Sequence, residues 1–362
     1  MIFYSILIFS LLVITTFWMW FYIANRSIHP VEITNEKLPP VTVIIAYKNA
    51  GQHIATTVQA VLDQKYPDFE VIAINDFSSD DSESYLSHIN DPKLIRLRAT
   101  LDLPGKKAAL SEAISYAKHD NLLFTDADCL PSSELWIITM VTKLLDDPKT
   151  EIVLGYGPLR KTAGLVNAFA RYETILTAMQ YFTYAKCGLP YMGVGRNLLY
   201  KKSLFLAVNG FSSHQHLPSG DDDLLISDAA NGSNTAVSLD DRTFVFSDAK
   251  NDLKAFLHQK SRHITTSVHY RPKIQFLLGL FAMVQLMVYL ILMTSLATNS
   301  ISIISCIAIL LVKWFTQMAC QYHFFKRLNG HDLWLFFPLL DIAMMMYYLV
   351  LPVYEYFRKD KW

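Results

Sequence analysis

Long stretches without any charged residue occur at both ends of this chain. Residues 1–25 contain no Asp, Glu, Lys or Arg, and residues 274–312 contain none either. A third stretch, residues 333–354, is interrupted by a single acid, Asp341. Because a helix needs about 20 apolar residues to cross the hydrocarbon core of a bilayer, we expect a membrane protein. The expected spans are residues 1–25, 274–296, 301–323 and 333–355.

The basic residues beside these spans predict their orientation, because Lys and Arg concentrate in cytoplasmic loops. Arg26 follows the first span, the loop at residues 297–300 has no charge, and the next loop contains Lys326 and Arg327. The first stretch also lacks the basic start of a cleaved secretion signal. We therefore expect an integral protein of the inner or plasma membrane, with its amino terminus outside and its middle region in the cytosol.

The last basic residues, Arg358, Lys359 and Lys361, do not fit this orientation. Four full crossings would place them outside, against the usual distribution of positive charge. Two alternatives remain open. Either the last segment is re-entrant or interfacial, or the weak charge of the tail is tolerated.

Two ionisable residues, Lys313 and Asp341, lie within the carboxyl-terminal apolar segments. Charged residues at membrane depth are rare and are usually paired. On adjacent antiparallel helices these two would lie at similar height, so we expect a structural ion pair. A role in transport or in binding an acceptor is the alternative.

The middle of the chain, from Arg26 to Lys273, has the composition of a soluble domain. A net charge of +0 and the lack of a dense Lys and Arg stripe argue against nucleic-acid binding. The cysteines show neither the CxxC spacing of a zinc ribbon nor a disulfide pattern, which agrees with a cytosolic location. They are Cys129, Cys187, Cys306 and Cys320.

Strand and helix signals alternate in this middle region, which predicts an α/β fold with a mostly parallel sheet. Helical spacing covers residues 54–62 and 105–117. In such a sheet the ligand crevice lies at the carboxyl ends of the strands. The predicted strands are residues 41–46, 70–75, 93–98 and 121–125.

Acidic residues follow two of these predicted strands, and a third acidic group lies further along the chain. Paired Asp oxygens are hard ligands that suit Mg²⁺ or Mn²⁺ carrying a diphosphate. A single Asp-x-Asp is common in turns, but the ordered set of three groups predicts a cation and phosphate site. The groups are Asp76 with Asp80, Asp126 with Asp128, and Asp221-Asp222-Asp223.

The order of these motifs, from Val41 to His263, resembles that of membrane-bound family 2 glycosyltransferases of the GT-A fold. That group includes ceramide glucosyltransferase, carotenoid glycosyltransferases, hyaluronan synthase and cellulose synthase. The resemblance implies a Rossmann-like cytosolic domain flanked by membrane helices. The implied division is an anchor at 1–25, a GT-A domain at 38–252, an interfacial segment at 253–273 and membrane helices at 274–357.

The resemblance also implies roles for residues on the donor side. Val43-Ile-Ile-Ala-Tyr-Lys-Asn49 resembles the strand and loop that hold the nucleotide base, with Tyr47 and Asn49 at the nucleotide. Asp76 matches the residue that contacts the uracil or ribose. Pro104-Gly-Lys-Lys-Ala-Ala-Leu110 places Lys106 near the donor. Asp126-Ala-Asp128 matches the metal motif, with Asp128 as the direct ligand beside Asp126.

Two further motifs imply the residues of the chemical step. In Gly220-Asp-Asp-Asp-Leu224 the matching general base is Asp222, although a helix cap explains the same residues. His258-Gln-Lys-Ser-Arg-His263 resembles a QxxRW signature through Gln259 and Arg262, with His263 in place of Trp. Arg262 would stabilise the departing diphosphate, for which a guanidinium is well suited.

Residues 165–184 have helical spacing and many aromatic side chains, so they form either core or an interfacial helix on the bilayer. The following Gly193-Val-Gly-Arg-Asn197 resembles the acceptor-side loop of the group. His214 and His216 lie in a polar stretch before the acidic motif. We expect these two histidines to be solvated rather than to bind a metal.

The resemblance implies an inverting glycosyltransferase that moves a sugar from a nucleotide diphosphate sugar, UDP-linked, to a hydroxyl of a membrane lipid. Mg²⁺ or Mn²⁺ is the implied cofactor. A processive polysaccharide synthase is the first alternative, but three carboxyl-terminal spans are few for a polymer channel. A non-catalytic membrane transporter or scaffold is the second, and the retained Asp76, Asp128, Asp222 and Arg262 weigh against it.

Overall fold

The computed structural model describes residues 2–33, 37–100 and 105–358 of the 362-residue chain. Pro104, Lys359 and Lys361, which the sequence singled out, lie outside the described residues. Contacts divide the chain into two compact units. The sheet unit comprises Ile28–Arg160 and Tyr184–Ala249, and the helical unit comprises the described residues of Met1–Ser27, Lys161–Thr183 and Lys250–Lys361.

The helices are numbered here in chain order. In the amino-terminal half they are α1 (Ile2–Arg26), α2 (His53–Leu62), α3 (Ser82–Ser87), α4 (Lys106–Tyr116), α5 (Trp136–Leu145) and α6 (Leu165–Lys186). In the carboxyl-terminal half they are α7 (Lys202–Ala207), α8 (Asp223–Ala229), α9 (Leu253–Ser267), α10 (Pro272–Ala297), α11 (Ile303–Arg327), α12 (His331–Trp334) and α13 (Phe337–Phe357).

The strands of the sheet unit form one large mixed sheet and a small two-stranded ribbon. The large sheet has the spatial order β3-β2-β1-β4-β7-β6-β8, and the ribbon pairs β5 with β9. The strands are β1 (Val41–Tyr47), β2 (Phe69–Asn75), β3 (Leu94–Arg98), β4 (Asn121–Phe124), β5 (Leu130–Pro131), β6 (Ile152–Leu154), β7 (Leu198–Lys201), β8 (Thr235–Val237) and β9 (Val245–Phe246).

Parallel pairing dominates the half of the large sheet that the sequence predicted. β1 pairs in parallel with both β2 and β4, and β2 pairs in parallel with β3. β7 runs antiparallel to β4 and to β6. The predicted Rossmann-like, mostly parallel sheet is therefore confirmed, and each of the four predicted strands occurs within two residues of its expected bounds.

The core of the sheet unit explains why these segments become strands. The residues of β1 and β2 are almost all buried, as expected of parallel strands that are covered on both faces. One face packs against α2 and α5, which contribute Ile54, Val58, Trp136 and Met140 to a single apolar cluster with Val43. This rigid core holds the carboxyl ends of the strands in fixed positions.

Among the residues that the structure describes, four helices of the helical unit are long and apolar enough to cross a membrane. They are Tyr4–Arg26, Pro272–Ala297, Ile303–Arg327 and Phe337–Phe357. α1 packs on α10 through aromatic rings, with Phe17, Trp18 and Phe21 each within 5.6 Å of Phe281 between ring centroids. The four predicted spans therefore occur as helices.

The aromatic segment at 165–184 forms most of α6, which belongs to the helical unit through residue 183. Phe169 contacts Phe256 of α9 and Tyr347 of α13, with centroid separations of 5.8 and 5.6 Å. Tyr172 lies 6.1 Å from Phe325 of α11. The stripe is packed within the protein, which explains why α6 groups with the helices rather than with the sheet.

A buried ion pair joins the membrane helices α11 and α13. Nζ of Lys313 lies 2.5 Å from Oδ2 of Asp341, and both side chains are 1% exposed. The hydroxyl of Tyr289 on α10 also donates to Asp341. The predicted pairing of Lys313 with Asp341 is therefore confirmed.

The carboxyl end of α13 contacts α9. Arg358 donates from Nη1 to the hydroxyl oxygen of Ser261 over 2.8 Å. α9 ends five residues before α10 begins. This contact favours the re-entrant or interfacial alternative for the last segment, because it ties the end of the chain to the segment that leads into α10.

Candidate active site

A cleft opens at the carboxyl ends of β1 and β4. Because β7 is antiparallel to β4, with Phe124 opposite Leu198, the residues before β7 reach the same edge of the sheet. The acidic segment before α8 closes the cleft. Its lining is Ala46, Lys106, Leu110, Phe124, Thr125, Asp126, Gly195, Leu198, Tyr200, Asp221 and Asp222.

Lys106, in the first turn of α4, joins two of the acidic motifs. Its Nζ lies 2.8 Å from Oδ1 of Asp126 and 2.8 Å from Oδ2 of Asp221. Burial by itself would lower the pKa of Lys106, but Asp126, Asp221 and Asp222 together raise it well above its ordinary value. Lys106 is therefore a permanent cation among the carboxylates of the cleft.

Asp222 is both the cap of α8 and a wall of the cleft. Its Oδ1 accepts from the backbone N–H of Asp223, the first residue of α8, over 2.8 Å. Burial and the charges of Asp221 and Asp223 raise the pKa of Asp222 to about 7, although Lys106 opposes this shift. A carboxyl with this pKa suits proton transfer near neutral pH.

Gly195 brings the backbone close to these charged groups. Its N–H donates to Oδ2 of Asp222 over 2.7 Å. A Cβ at this position would lie 3.3 Å from that oxygen, 3.4 Å from Nζ of Lys106 and 3.5 Å from Oδ2 of Asp221. Any side chain at residue 195 would therefore occupy space beside the general-base candidate.

The predicted metal motif supplies two carboxylates rather than a complete ligand set. Asp126 is one-third exposed and faces Lys106, whereas Asp128 is exposed and its Oδ1 accepts from the Cys129 thiol. Among the residues that the structure describes, no three His, Cys, Asp or Glu side chains form a metal-binding group. Mg²⁺ binds through one or two carboxylates with phosphates and water completing its shell, and the Asp126 and Asp128 pair fits that requirement.

The predicted nucleotide residues Tyr47 and Asn49 lie at the end of β1 and in the loop after it, and this loop is held by the loop after β2. Tyr47 is buried, and burial together with Glu83 raises its pKa to about 12. Asn49, with a φ of 51°, accepts through Oδ1 from the backbone N–H of Ser79 over 2.8 Å. A positive φ is uncommon for a residue other than glycine and is often found at functional sites.

Asp76 links the end of β2 to the start of α4. Its Oδ1 accepts from the backbone N–H of Gly105 over 3.1 Å, and the residue is 6% exposed. Gly105 has a φ of 148°, which lies in the region that favours glycine. Asp76 thereby holds Gly105, the residue directly before Lys106.

A family model confirms what these motifs indicate. The model described as Glycosyl transferase family 2 matches residues 42–196. This range contains β1 from its second residue onward, the loop after β2, Lys106, the Asp126 and Asp128 pair, and Gly195. Residues 42–196 are a glycosyl transferase family 2 domain.

Curated relatives of the family 2 domain are similar over less than half of this chain. Poly-beta-1,6-N-acetyl-D-glucosamine synthase of Staphylococcus aureus (strain COL) is 25% identical over 179 residues, covering 47% of this chain and 43% of that protein. The enzyme of the same name from Staphylococcus epidermidis is 26% identical over 152 residues, covering 41% and 36%. The match therefore spans less than half the length of either synthase.

The fold of the family 2 domain and its helices is that of a solved enzyme. Mannosyltransferase PcManGT from Pyrobaculum calidifontis, in complex with GDP-Man and Mn²⁺, superposes with a TM-score of 0.61. The match covers 98% of this chain and 99% of that one at 18% identity. At this identity the similarity shows the GT-A fold.

The remaining predicted residues, Gln259 and Arg262, follow the family 2 domain in the sequence. Both lie on α9, which belongs to the helical unit. The structure thus assigns the QxxR motif and the acidic cleft to different compact units. Their roles stay predictions from the motif.

The expectation that His214 is solvated is wrong. His214 is 4% exposed, and its Nδ1 lies 2.8 Å from the hydroxyl oxygen of Ser213, while His216 is exposed. Burial, followed by the charge of Lys107, lowers the pKa of His214. The ring of His214 packs against Phe211. The presence of this apolar residue three positions earlier was the one signal in the sequence for the burial of His214.

The sequence also left the loop before β7 without assigned contacts. Asn197 is fully buried and braces the domain by donating to the carbonyl oxygens of Tyr156 and Thr243 over 2.8 and 2.6 Å. Arg196 donates to the carbonyl oxygen of Gly157. Gly195, at the start of this brace, is therefore fixed against Asp222, a contact that only the fold reveals.

Proposed function

We propose that this protein transfers a sugar from a nucleotide diphosphate sugar, UDP-linked, to a hydroxyl group of a membrane lipid. The observation that supports this is the cleft at the carboxyl ends of β1 and β4. There Lys106 contacts Asp126 and Asp221 at 2.8 Å each, and Asp222 lies against Gly195. The cleft combines a cation for phosphate, carboxylates for a metal and one carboxylate with a raised pKa.

The proposed reaction is one direct displacement with inversion. Asp222 takes the proton of the acceptor hydroxyl while that oxygen forms a bond to the anomeric carbon. The bond from the anomeric carbon to the diphosphate breaks in the same step, and the nucleoside diphosphate leaves with the electron pair. Asp222 ends protonated, and its raised pKa near 7 means that it then loses this proton to water at neutral pH.

A divalent ion, Mg²⁺ or Mn²⁺, would be held by Asp128 and Asp126 and would stabilise negative charge on the leaving diphosphate. Lys106 contributes positive charge at the same edge of the cleft. Tyr47, Asn49 and Asp76 would hold the nucleoside. Arg262 would stabilise the diphosphate and Gln259 would assist it, as their motif predicts.

Four helices with the length and composition of membrane spans support a lipid acceptor. The basic residues Lys326 and Arg327 end α11, and Arg26 ends α1. Their distribution supports an integral protein of the inner or plasma membrane with the sheet unit in the cytosol.

A processive polysaccharide synthase is the second candidate, and the names of both curated relatives favour it. The two candidates differ in their products. Single transfer to lipid gives one discrete glycolipid, whereas a synthase gives a ladder of polymer lengths. A product mass therefore separates them directly.

The deciding experiment uses the purified full-length protein in detergent or lipid. It is incubated with a panel of radiolabelled UDP- and GDP-sugars, total lipid extract and Mn²⁺ or Mg²⁺. We expect label from one UDP-sugar in a single lipid-soluble product, and loss of that label in Asp222→Asn. Label in a polymer ladder would support the synthase. The absence of both hydrolysis and transfer for every donor would overturn the enzyme proposal.

A further inference from the structure

Lys107, the neighbour of Lys106 on α4, has contacts of a different kind. Lys106 faces the cleft, whereas Lys107 is 6% exposed. Nζ of Lys107 donates to the carbonyl oxygens of His214 and Leu217 over 2.6 and 3.1 Å. A buried lysine therefore serves as a donor to backbone.

The two carbonyl groups belong to the segment that leads into the acidic motif. This approach segment, residues 212–220, begins with a 3-10 turn at Ser212–His214 and ends one residue before Asp221. A further attachment is Ser213, which donates through its hydroxyl to Oδ2 of Asp228 in α8 over 2.6 Å. Lys107 thus ties the approach segment to α4, and Ser213 ties it to α8.

The same helix therefore holds the acidic motif from two sides. Lys106 contacts the side chain of Asp221, and Lys107 holds the backbone a few residues earlier. A charged donor makes a stronger hydrogen bond than a neutral one, and burial strengthens it further. Catalytic groups lose activity when they move by about 1 Å, so a fixed approach segment matters for Asp222.

We propose that Lys107 is a positioning residue that fixes the approach segment, and through it Asp222, relative to α4. This inference rests on the proposed function of Asp222 for its effect on catalysis. Its structural half, the restraint of residues 212–220, stands independently of any activity.

The chain offers a matched control in Lys202. Nζ of Lys202 donates to the carbonyl oxygens of Ser115 and Ala117, at the other end of α4, over 3.2 and 2.8 Å. Lys107→Met and Lys202→Met each remove two bonds from an ammonium group to backbone carbonyls. The Lys107 variant releases the approach segment, whereas the Lys202 variant releases only the carboxyl end of α4.

The test measures amide hydrogen exchange and steady-state kinetics on both full-length variants in detergent. In Lys107→Met we expect exchange of residues 212–220 to quicken by about tenfold or more, with kcat lowered by a similar factor. The KM for the preferred donor of the panel should stay within about threefold, because the donor loops are untouched. Lys202→Met should leave both the exchange of this segment and kcat near wild type.

Equal exchange of residues 212–220 in wild type and Lys107→Met would overturn the proposal. So would faster exchange with unchanged kcat. If Lys107→Met does not fold, Lys107→Gln replaces it as the test variant. Its amide keeps a donor without the charge, so we expect an intermediate increase in the exchange of residues 212–220. A wild-type exchange rate in Lys107→Gln would contradict the proposal. If the wild-type protein transfers no sugar at all, the proposed function fails, while the exchange measurement still decides whether Lys107 restrains the segment.

Discussion

The backbone N–H of Gly195 donates a hydrogen bond to Oδ2 of Asp222 over 2.7 Å. A hydrogen bond from an N–H stabilises the charged carboxylate and also fixes the direction of its free lone pairs. The contact joins a loop of the family 2 domain to the acidic motif outside its matched range. Because of this contact, a side chain larger than that of glycine at residue 195 would disturb the site.

We predict that Gly195→Ala lowers kcat by about 10- to 100-fold while the protein still folds. The added methyl group would lie 3.3 Å from Asp222 and 3.4 Å from Lys106, and both side chains would have to move. Gly279→Ala is the control, because a Cβ there has nothing within 4 Å. Equal kcat for the two variants would show that the Gly195 contact has no catalytic role.

The raised pKa of Asp222 predicts the pH dependence of transfer. Burial, followed by the charges of Asp221 and Asp223, raises this pKa to about 7, and Lys106 opposes the shift. A general base must be deprotonated, so kcat/KM should rise with pH up to about 7 and level off above it. Asp222→Asn should lower transfer by roughly 10²- to 10⁴-fold and abolish the rise, with donor affinity within a few fold.

Asparagine at residue 222 keeps the helix cap, since an amide oxygen can still accept from the N–H of Asp223. It loses the second bond, because an amide NH₂ cannot accept from Gly195. Calorimetry with the donor and transfer assays across pH separate the roles. If Asp222→Asn keeps wild-type turnover, the base is Asp221 or Asp223, or the assignment is abandoned.

We predict that transfer requires a divalent ion and is lost in Asp128→Ala. Asp128 is proposed only as a metal ligand beside Asp126. Its removal should therefore also weaken the binding of Mn²⁺ in the presence of nucleoside diphosphate. Electron paramagnetic resonance of Mn²⁺ reports that binding without turnover. Asp146→Ala, which loses an exposed contact with Lys143, is the control. Full activity of Asp128→Ala in excess chelator would contradict the metal role.

The ion pair of Lys313 with Asp341 predicts an asymmetry in stability. Removing either partner alone should cost about 3–5 kcal/mol, because it leaves a buried charge without its partner. Replacing both, as in Lys313→Met with Asp341→Leu, should cost less, although Tyr289 loses its acceptor. Thermal unfolding in detergent measures all three. Single variants as stable as wild type would show that the pair is not structural.

The sheet was predictable from sequence because β1 and β2 are mostly apolar segments, interrupted only by Thr42 and Glu70, with polar residues following at their carboxyl ends. The pattern of side chains therefore predicts both the strand β2 and the location of Asp76 at its carboxyl end. The antiparallel β7 carries no such signal, since a strand of four residues, Leu198–Lys201, is too short for its direction to be read. Its direction is what brings Gly195 to the cleft.

The site was predictable where a carboxylate follows a strand, as for Asp126, and where a motif matched, as for Asp222. It was not predictable where backbone groups take part. Lys107 bonds to carbonyl oxygens that every residue possesses, and Gly195 acts through its N–H and its lack of a side chain. His214 was misread because its burial depends on how residues 212–220 fold, which local polarity does not reveal.

The hydrogen bond from Arg358 to Ser261 affects how the passages of this chain through a bilayer are counted. α13 contacts α6 or α9 along its length, through Phe337 to Tyr172, Tyr347 to Phe169 and finally Arg358 to Ser261. The far end of α13 thus returns to α9, the helix that precedes α10. This contact favours a re-entrant or interfacial α13, a geometry in which Arg358 would share the side of the bilayer on which α10 starts, in line with the usual distribution of positive charge.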